Sequence, residues 1–197
     1  MKITIGLTGP TGAGKSSAAK LCESFCLNHI DCDKLARKAV EKGSDGLHAL
    51  VKAFGNDILN PDETLNRKKL ASIAFATKEK TQLLNDTTFP FIKQLVLKAT
   101  EKGNTLLDAP TLFESGLDNI CFKTIAVLCD KQTRLNRIIK RDNLTEEQAV
   151  TRMNAGKDDA FYIENADYII YNNNGEGEFL KQFELTLTEI LKLGENL

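Results

Sequence analysis

The chain has 197 residues, 42% of them hydrophobic and 27% charged, with a formal net charge of -1. That is the make-up of an ordinary globular chain with a sizeable core, and it excludes a disordered one. The even charge balance excludes a broad polyanion such as nucleic acid as the expected partner, and no run approaches the roughly 20 apolar residues of a membrane span.

Lys2 to Leu7 is short, β-branched and apolar, and predicts a buried parallel strand that stops at Thr8-Gly9. It lacks the long apolar core of a signal peptide and runs straight into a Gly-rich loop. A helix is predicted from Lys15 to about Leu27, packing through Ala18, Ala19, Cys22 and Phe25. His29-Ile30 is a second strand, ending at Asp31-Cys32-Asp33. Helices follow over 34–41, ended by Gly43, and 47–54, ended by Gly55. The stretch 57–66 predicts a turn or small hairpin around Asn60-Pro61-Asp62. An amphipathic helix is expected over 67–75. A long helical stretch over 79–101 is interrupted at Phe89-Pro90, where proline should start a new helix or kink the old one.

Strands are predicted again over 104–108 and 123–129, and helices over 131–141 and 145–154. Tyr168 to Tyr171 is a fifth strand before the turn Asn172-Asn173-Asn174-Gly175, and 178–193 is a final amphipathic helix. Strands alternating with helices predict an α/β fold with a parallel sheet, and the strand-poor segment between Asp33 and Gly103 reads as a helical insertion. The five cysteines, Cys22, Cys26, Cys32, Cys121 and Cys129, are odd in number and scattered. They fit reduced thiols in the cytoplasm better than a disulfide framework.

The chemistry begins at Gly9-Pro10-Thr11-Gly12-Ala13-Gly14-Lys15-Ser16, which matches G-x-x-x-x-G-K-[ST] between a predicted strand and a predicted helix. Glycines let the backbone wrap closely and aim N–H groups at phosphate oxygens, and the following helix adds its positive end. Lys15 should reach the β- and γ-phosphates and Ser16 should ligate Mg²⁺. The motif occurs by chance, but not readily in this setting.

Asp31 and Asp33 alternate at the carboxyl end of the second strand, where open α/β sheets form their ligand crevice. One could serve the metal–phosphate region and the other the acceptor, since a kinase needs a carboxylate to orient the acceptor hydroxyl and take its proton. The plainer alternative is that they cap the next helix. Arg37 lies one helical turn after Asp33. Arg137 and Arg141 share a helix face, with Arg152 beyond. They are lid arginines that offset charge on a transferring phosphoryl group, or a solvated basic face.

In order along the chain, Ile5 to Ser16, Ile30-Asp31-Cys32-Asp33 with Arg37, Gly55, Leu65-Asn66-Arg67 with Leu70 and Phe75, Asp108 to Gly116, Arg137 to Arg141-Asp142, Arg152 and Ala166 to Ile170 resemble the dephospho-CoA kinase family. The resemblance spans nearly the whole chain. It implies a three-layer fold on a five-stranded parallel sheet, with a P-loop core over 1–32, 99–140 and 160–197. A helical acceptor insertion would occupy 33–98 and a helical lid 141–159. It implies ATP-dependent phosphorylation of the ribose 3′-hydroxyl of dephospho-CoA, with ATP and Mg²⁺ bound by Gly9, Gly12, Ala13, Gly14, Lys15, Ser16 and Ser17.

By the same resemblance, Asp33 is the catalytic carboxylate and Asp31 sits by the metal, directly or through a water. Arg37, Arg67, Pro110, Leu112 and Glu114 are acceptor-side residues. Arg141 meets the ATP phosphates, and Asn172 to Gly175 form the turn near the adenine. A monomer or small homo-oligomer is expected.

The chain departs from the family pattern at several positions. Phe89 stands before Pro90 where the family usually has His, and Thr111 stands in its P-L-L motif. Arg134 and Gly156 each replace a glutamine, and the turn at Asn172 is one residue longer.

Three other readings are open. One is a kinase for another small acceptor, such as a nucleoside monophosphate or sugar acid. A second is a nucleotide-dependent switch, for which the GTPase sequence N-K-x-D is missing. The third is a nucleotide-binding module without catalysis.

Overall fold

In the computed structural model, residues 2–196 are described. Five strands, β1 (Thr4–Thr8), β2 (Asn28–Asp31), β3 (Thr105–Asp108), β4 (Lys123–Leu128) and β5 (Tyr168–Tyr171), form one parallel sheet in the order β2-β3-β1-β4-β5. Leu7 pairs with Asp108 on one side and Ile125 on the other, so β1 is central. The chain leaves β1 toward the β2 edge and leaves its neighbour β3 toward β4 on the other side, which puts the switch point, where such sheets bind ligands, at the carboxyl ends of β1 and β3.

Helices alternate with the strands: α1 (Lys15–Ala19), α2 (Cys32–Ala39), α3 (Asp45–Phe54), α4 (Arg67–Ala74), α5 (Lys78–Thr100), α6 (Lys131–Asp142), α7 (Glu146–Asn154), α8 (Asp159–Asn165) and α9 (Glu176–Glu195). The core explains the continuous apolar reading of β4. Ile125 and Val127 pack with Ile5, Leu7, Phe179, Phe183 and Leu187, while Ala126 and Leu128 pack with Tyr162, Phe113 and Phe161. A strand buried on both faces needs no polar alternation.

The chain divides into two compact units, Met1–Ile30 with Lys102–Leu197, and Asp31–Glu101. The first holds the sheet. The second has its own core of Val40, Leu50, Ile58, Leu70 and Ala74, with Phe91 and Leu95 from α5 packed on it. Between them in this second unit, Leu59 and Leu65 form an isolated antiparallel bridge within the expected hairpin.

Three elements differ from the sequence expectation. The first helix is α1 followed by a 3₁₀ segment, Lys20–Phe25, because Cys26 takes φ 51° and Leu27 N–H closes back on the Cys22 carbonyl. α5 runs as one helix through Pro90, so of the two alternatives no new helix starts there. Proline removes a single N–H from its ladder, and burial of Phe91, Ile92 and Leu95 on the core outweighs that loss. α8 was not expected at all. It is short, is capped by Asp158 and is held by the packing of Phe161 and Tyr162 beneath β4. Among the described residues, no helix is long and apolar enough to cross a membrane.

Candidate nucleotide-binding site

Helices α2 to α8 each begin with an Asp, Ser, Asn or Thr side chain accepting a backbone N–H; the Thr145–Gln148 pair of α7 forms a full capping box. α1, like α9 at Gly175, begins instead at a glycine without a side-chain cap: Gly14, with φ 107°. Its first N–H groups are therefore left for something other than the protein's own side chains.

The loop before it cannot be built from other residues. A Cβ at Gly9 would collide with the Val127 carbonyl of β4, and one at Gly14 with the Asn172 amide, and both glycines have positive φ. A backbone this close-wrapped, opening on an uncapped helix, fits a phosphate chain.

Lys15 lies on the loop itself, its Nζ donating to the carbonyls of Gly9 at 2.6 Å and Pro10 at 3.4 Å. Ser16 is exposed and Ser17 half-buried; the Ser17 N–H donates to the Gly14 carbonyl at 3.1 Å. Ala13 is fully buried and belongs to the core.

The loop is held from behind by residues more than a hundred positions away. Arg134 Nε donates to the Thr11 carbonyl at 3.2 Å, and its Nη1 pairs with Asp159 Oδ1 at 3.0 Å. Arg137 Nη1 donates to the carbonyls of Gly12 at 3.4 Å and Ala13 at 3.2 Å. Asn172 Nδ2 donates to the Ala13 carbonyl at 2.8 Å, while its Oδ1 accepts from Arg137 Nη2 at 3.3 Å. Asn172, expected near an adenine, is thus a buried contact of the loop. The rest of its turn is pinned by Asn173 Oδ1, which accepts from the Asp130 N–H, and Gly175 stays exposed at the start of α9.

Arg141 is one turn further along α6 and exposed. Its Nε and Nη2 make a bidentate pair with Asp142 at 2.8 and 2.9 Å, and Nη2 also reaches Thr11 Oγ1 at 3.5 Å. Arg152 joins the same carboxylate at 2.7 Å. The hydrogen bond from Arg141 holds the Asp142 carboxyl below the usual range and raises Arg141 in return. Sequence spacing put Arg137 and Arg141 together. Both reach the loop, Arg137 at the Gly12 and Ala13 carbonyls and Arg141 at the Thr11 hydroxyl, but Arg141 makes its main pair with a carboxylate.

After β3, Thr8 Oγ1 donates to the Pro110 carbonyl at 3.4 Å, which ties the following loop to the end of β1. Glu114 on that loop is exposed. Leu112, expected at the acceptor, is fully buried, and a Cβ at Gly6 would press on its methyl; it is a packing residue, because Gly6 leaves the hole it fills. At the carboxyl end of β3, Asp108 Oδ2 stands 3.7 Å from His29 Nε2, a pair the sequence reading did not foresee.

In the second unit, Asp31 caps α2 by accepting the Lys34 N–H at 3.0 Å, with Lys34 Nζ at 3.5 Å. Asp33 is exposed in the first turn of α2. Arg67, exposed at the start of α4, donates through Nη2 to the Arg37 carbonyl at 3.5 Å, which brings those two residues together.

A parallel sheet whose central strand runs into this glycine-bound loop defines a P-loop nucleotide-binding fold of the kinase type. A model of the dephospho-CoA kinase family matches residues 3–178. The dephospho-CoA kinase of Listeria innocua is 40% identical over 185 residues, covering 91% of this chain and 92% of that one. Among solved structures, a dephospho-CoA kinase from Campylobacter jejuni superimposes with TM-score 0.70 at 28% identity, covering 98% of this chain and all of its own. A protein from Thermus thermophilus reaches TM-score 0.82 at 26% identity, covering 95% and 97%. The chain belongs to the dephospho-CoA kinase family. The family is one of kinases that act on a small-molecule acceptor.

Proposed function

We propose that this chain transfers the γ-phosphoryl group of ATP, in the presence of Mg²⁺, to the ribose 3′-hydroxyl of dephospho-CoA, giving CoA and ADP. The observation that carries the reading is the loop from Gly9 to Ser16, close-wrapped and opening on an uncapped helix, in a chain of this family.

The loop N–H groups and Lys15 bind the β- and γ-phosphate oxygens, with Lys15 exchanging the Gly9 and Pro10 carbonyls for phosphate. Ser16 would hold Mg²⁺, and Asp31 would assist directly or through a water; the ion supplies charge neutralisation to the phosphates. Gly12, Ala13, Ser17 and Gly175 complete the proposed nucleotide side, whereas the buried Asn172 acts on it only through the loop backbone. Arg141 turns a second edge of its guanidinium to the phosphates while Asp142 keeps the first. Asp33 orients the 3′-hydroxyl and accepts its proton as the new O–P bond forms and ADP leaves. Arg37, Arg67, Pro110 and Glu114 serve the acceptor, whereas the buried Leu112 acts by packing. Most of the rate then comes from positioning and charge stabilisation.

A coupled ADP-release assay comparing dephospho-CoA, AMP, CMP, gluconate and no acceptor tests this. Release should depend on dephospho-CoA. A rate no faster than the blank overturns the reading, and a faster rate with another acceptor replaces the substrate.

A further inference from the structure

Three consecutive carbonyls of the loop, those of Thr11, Gly12 and Ala13, are all taken by side chains from outside it. In a trans peptide the C=O of one residue and the N–H of the next point in opposite directions. Fixing the Thr11 carbonyl on Arg134 therefore aims the Gly12 N–H away from α6. Fixing the Ala13 carbonyl on Asn172 aims the Gly14 N–H away from β5. The Ala13 N–H is already used, donating to the Pro10 carbonyl at 3.3 Å.

The holding groups are themselves held. Asn172 is 4% exposed, its N–H donating to the Leu128 carbonyl at 2.8 Å and its side-chain oxygen accepting from Arg137. Arg137 also donates to the Asn172 carbonyl and to Cys129 Sγ, each at 3.4 Å. Arg134 is 4% exposed and paired with Asp159. These groups do not line the phosphate side of the loop, and they cluster where each peptide plane could otherwise flip.

We infer that Arg137 and Asn172, with Arg134, are positioning residues for the nucleotide phosphates: they lock the peptide planes of 11–14 so that the Gly12 and Gly14 N–H groups face the phosphate before it arrives. An anion site whose donors are already aligned binds without reorganising, and the Arg137 guanidinium behind the loop adds a positive field, while that of Arg134 is offset by Asp159. The inference rests on the phosphate reading of the loop and deepens it.

The experiment is nucleotide binding to the full chain by titration calorimetry, with ATP measured directly and AMP by competition. Wild type is compared with Arg137→Lys and Asn172→Ala. Lysine keeps the charge but cannot span two loop carbonyls and Asn172 at once. Both variants are expected to bind ATP about tenfold more weakly, the scale of one or two lost hydrogen bonds. AMP affinity should fall clearly less than ATP affinity, because AMP keeps only one phosphate of the chain that the loop cradles, and the KM for dephospho-CoA should stay within about twofold.

ATP affinity within about twofold of wild type in Arg137→Lys overturns the inference. So does an equal loss for ATP and AMP, which marks general damage. Should Asn172→Ala not fold, Arg137→Lys decides alone. Wild type that fails to bind ATP is a different result and removes the phosphate reading itself.

Discussion

Replacing Gly14 by alanine probes the loop and its support together. Gly14 has φ 107°, where a residue with a Cβ is strained by about 1–2 kcal/mol. The new methyl would also drive into the Asn172 amide, breaking its bond to the Ala13 carbonyl. Because Asn172 is buried, an unsatisfied amide there costs about 1–3 kcal/mol. The lower entropy of the unfolded alanine chain returns about 0.4–1 kcal/mol. The net is near 3 kcal/mol as an order of magnitude, or a Tm lower by about 6–12 °C for a chain of this size. Thermal unfolding by circular dichroism measures it, with ATP titration alongside. A Tm within about 2 °C of wild type, with ATP binding retained, would refute the reasoning, since neither the strained backbone nor the Asn172 contact would then matter.

Asp33→Asn should lower kcat by about 10²–10⁴-fold while ATP still binds, and the exposure of Asp33 predicts a Tm change of only a few degrees. Turnover near that of wild type would remove Asp33 from catalysis. Lys15→Ala should weaken ATP binding and turnover together; a variant that loses turnover alone speaks against a role in holding phosphate.

Asp167 gives a pH signature. Burial pushes its carboxyl up, but the Lys123 ammonium and the Thr124 hydroxyl and N–H, at 2.8 Å each, outweigh that and leave it lowered. A lowered folded pKa adds stability above the unfolded value, near 4, that is lost as pH falls through the folded one. Tm of the wild type should therefore fall below about pH 4, and Asp167→Asn should show a shallower slope. Parallel slopes for the two proteins would exclude Asp167 as a source of acid sensitivity.

The loop from Gly9 to Ser16 was legible in sequence because its requirement is local: glycine where φ is positive, and a strand and helix on either side. The order of strands and helices was legible for the same reason, as was the family resemblance, which is an ordered set of short motifs. The sequence could not reveal that Arg134, Arg137 and Asn172 converge on the loop from 123, 125 and 159 residues away, because that juxtaposition exists only once β4, β5 and α6 close around β1. Spacing along α6 did group the arginines, but what each meets is set by the neighbouring backbone.

α8 and Leu112 show the same limit from the packing side. A seven-residue helix has too little propensity to announce itself, and it forms because Phe161 and Tyr162 find the lower face of β4. Leu112 sits within a motif that suggests a ligand contact, yet the missing side chain at Gly6 draws it into the interior. For this protein the sequence determined where the close-wrapped glycine loop forms, since backbone geometry is a local property. Only the tertiary structure decided which side chains hold that backbone in place, since hydrogen bonds across a hundred residues depend on how the sheet closes.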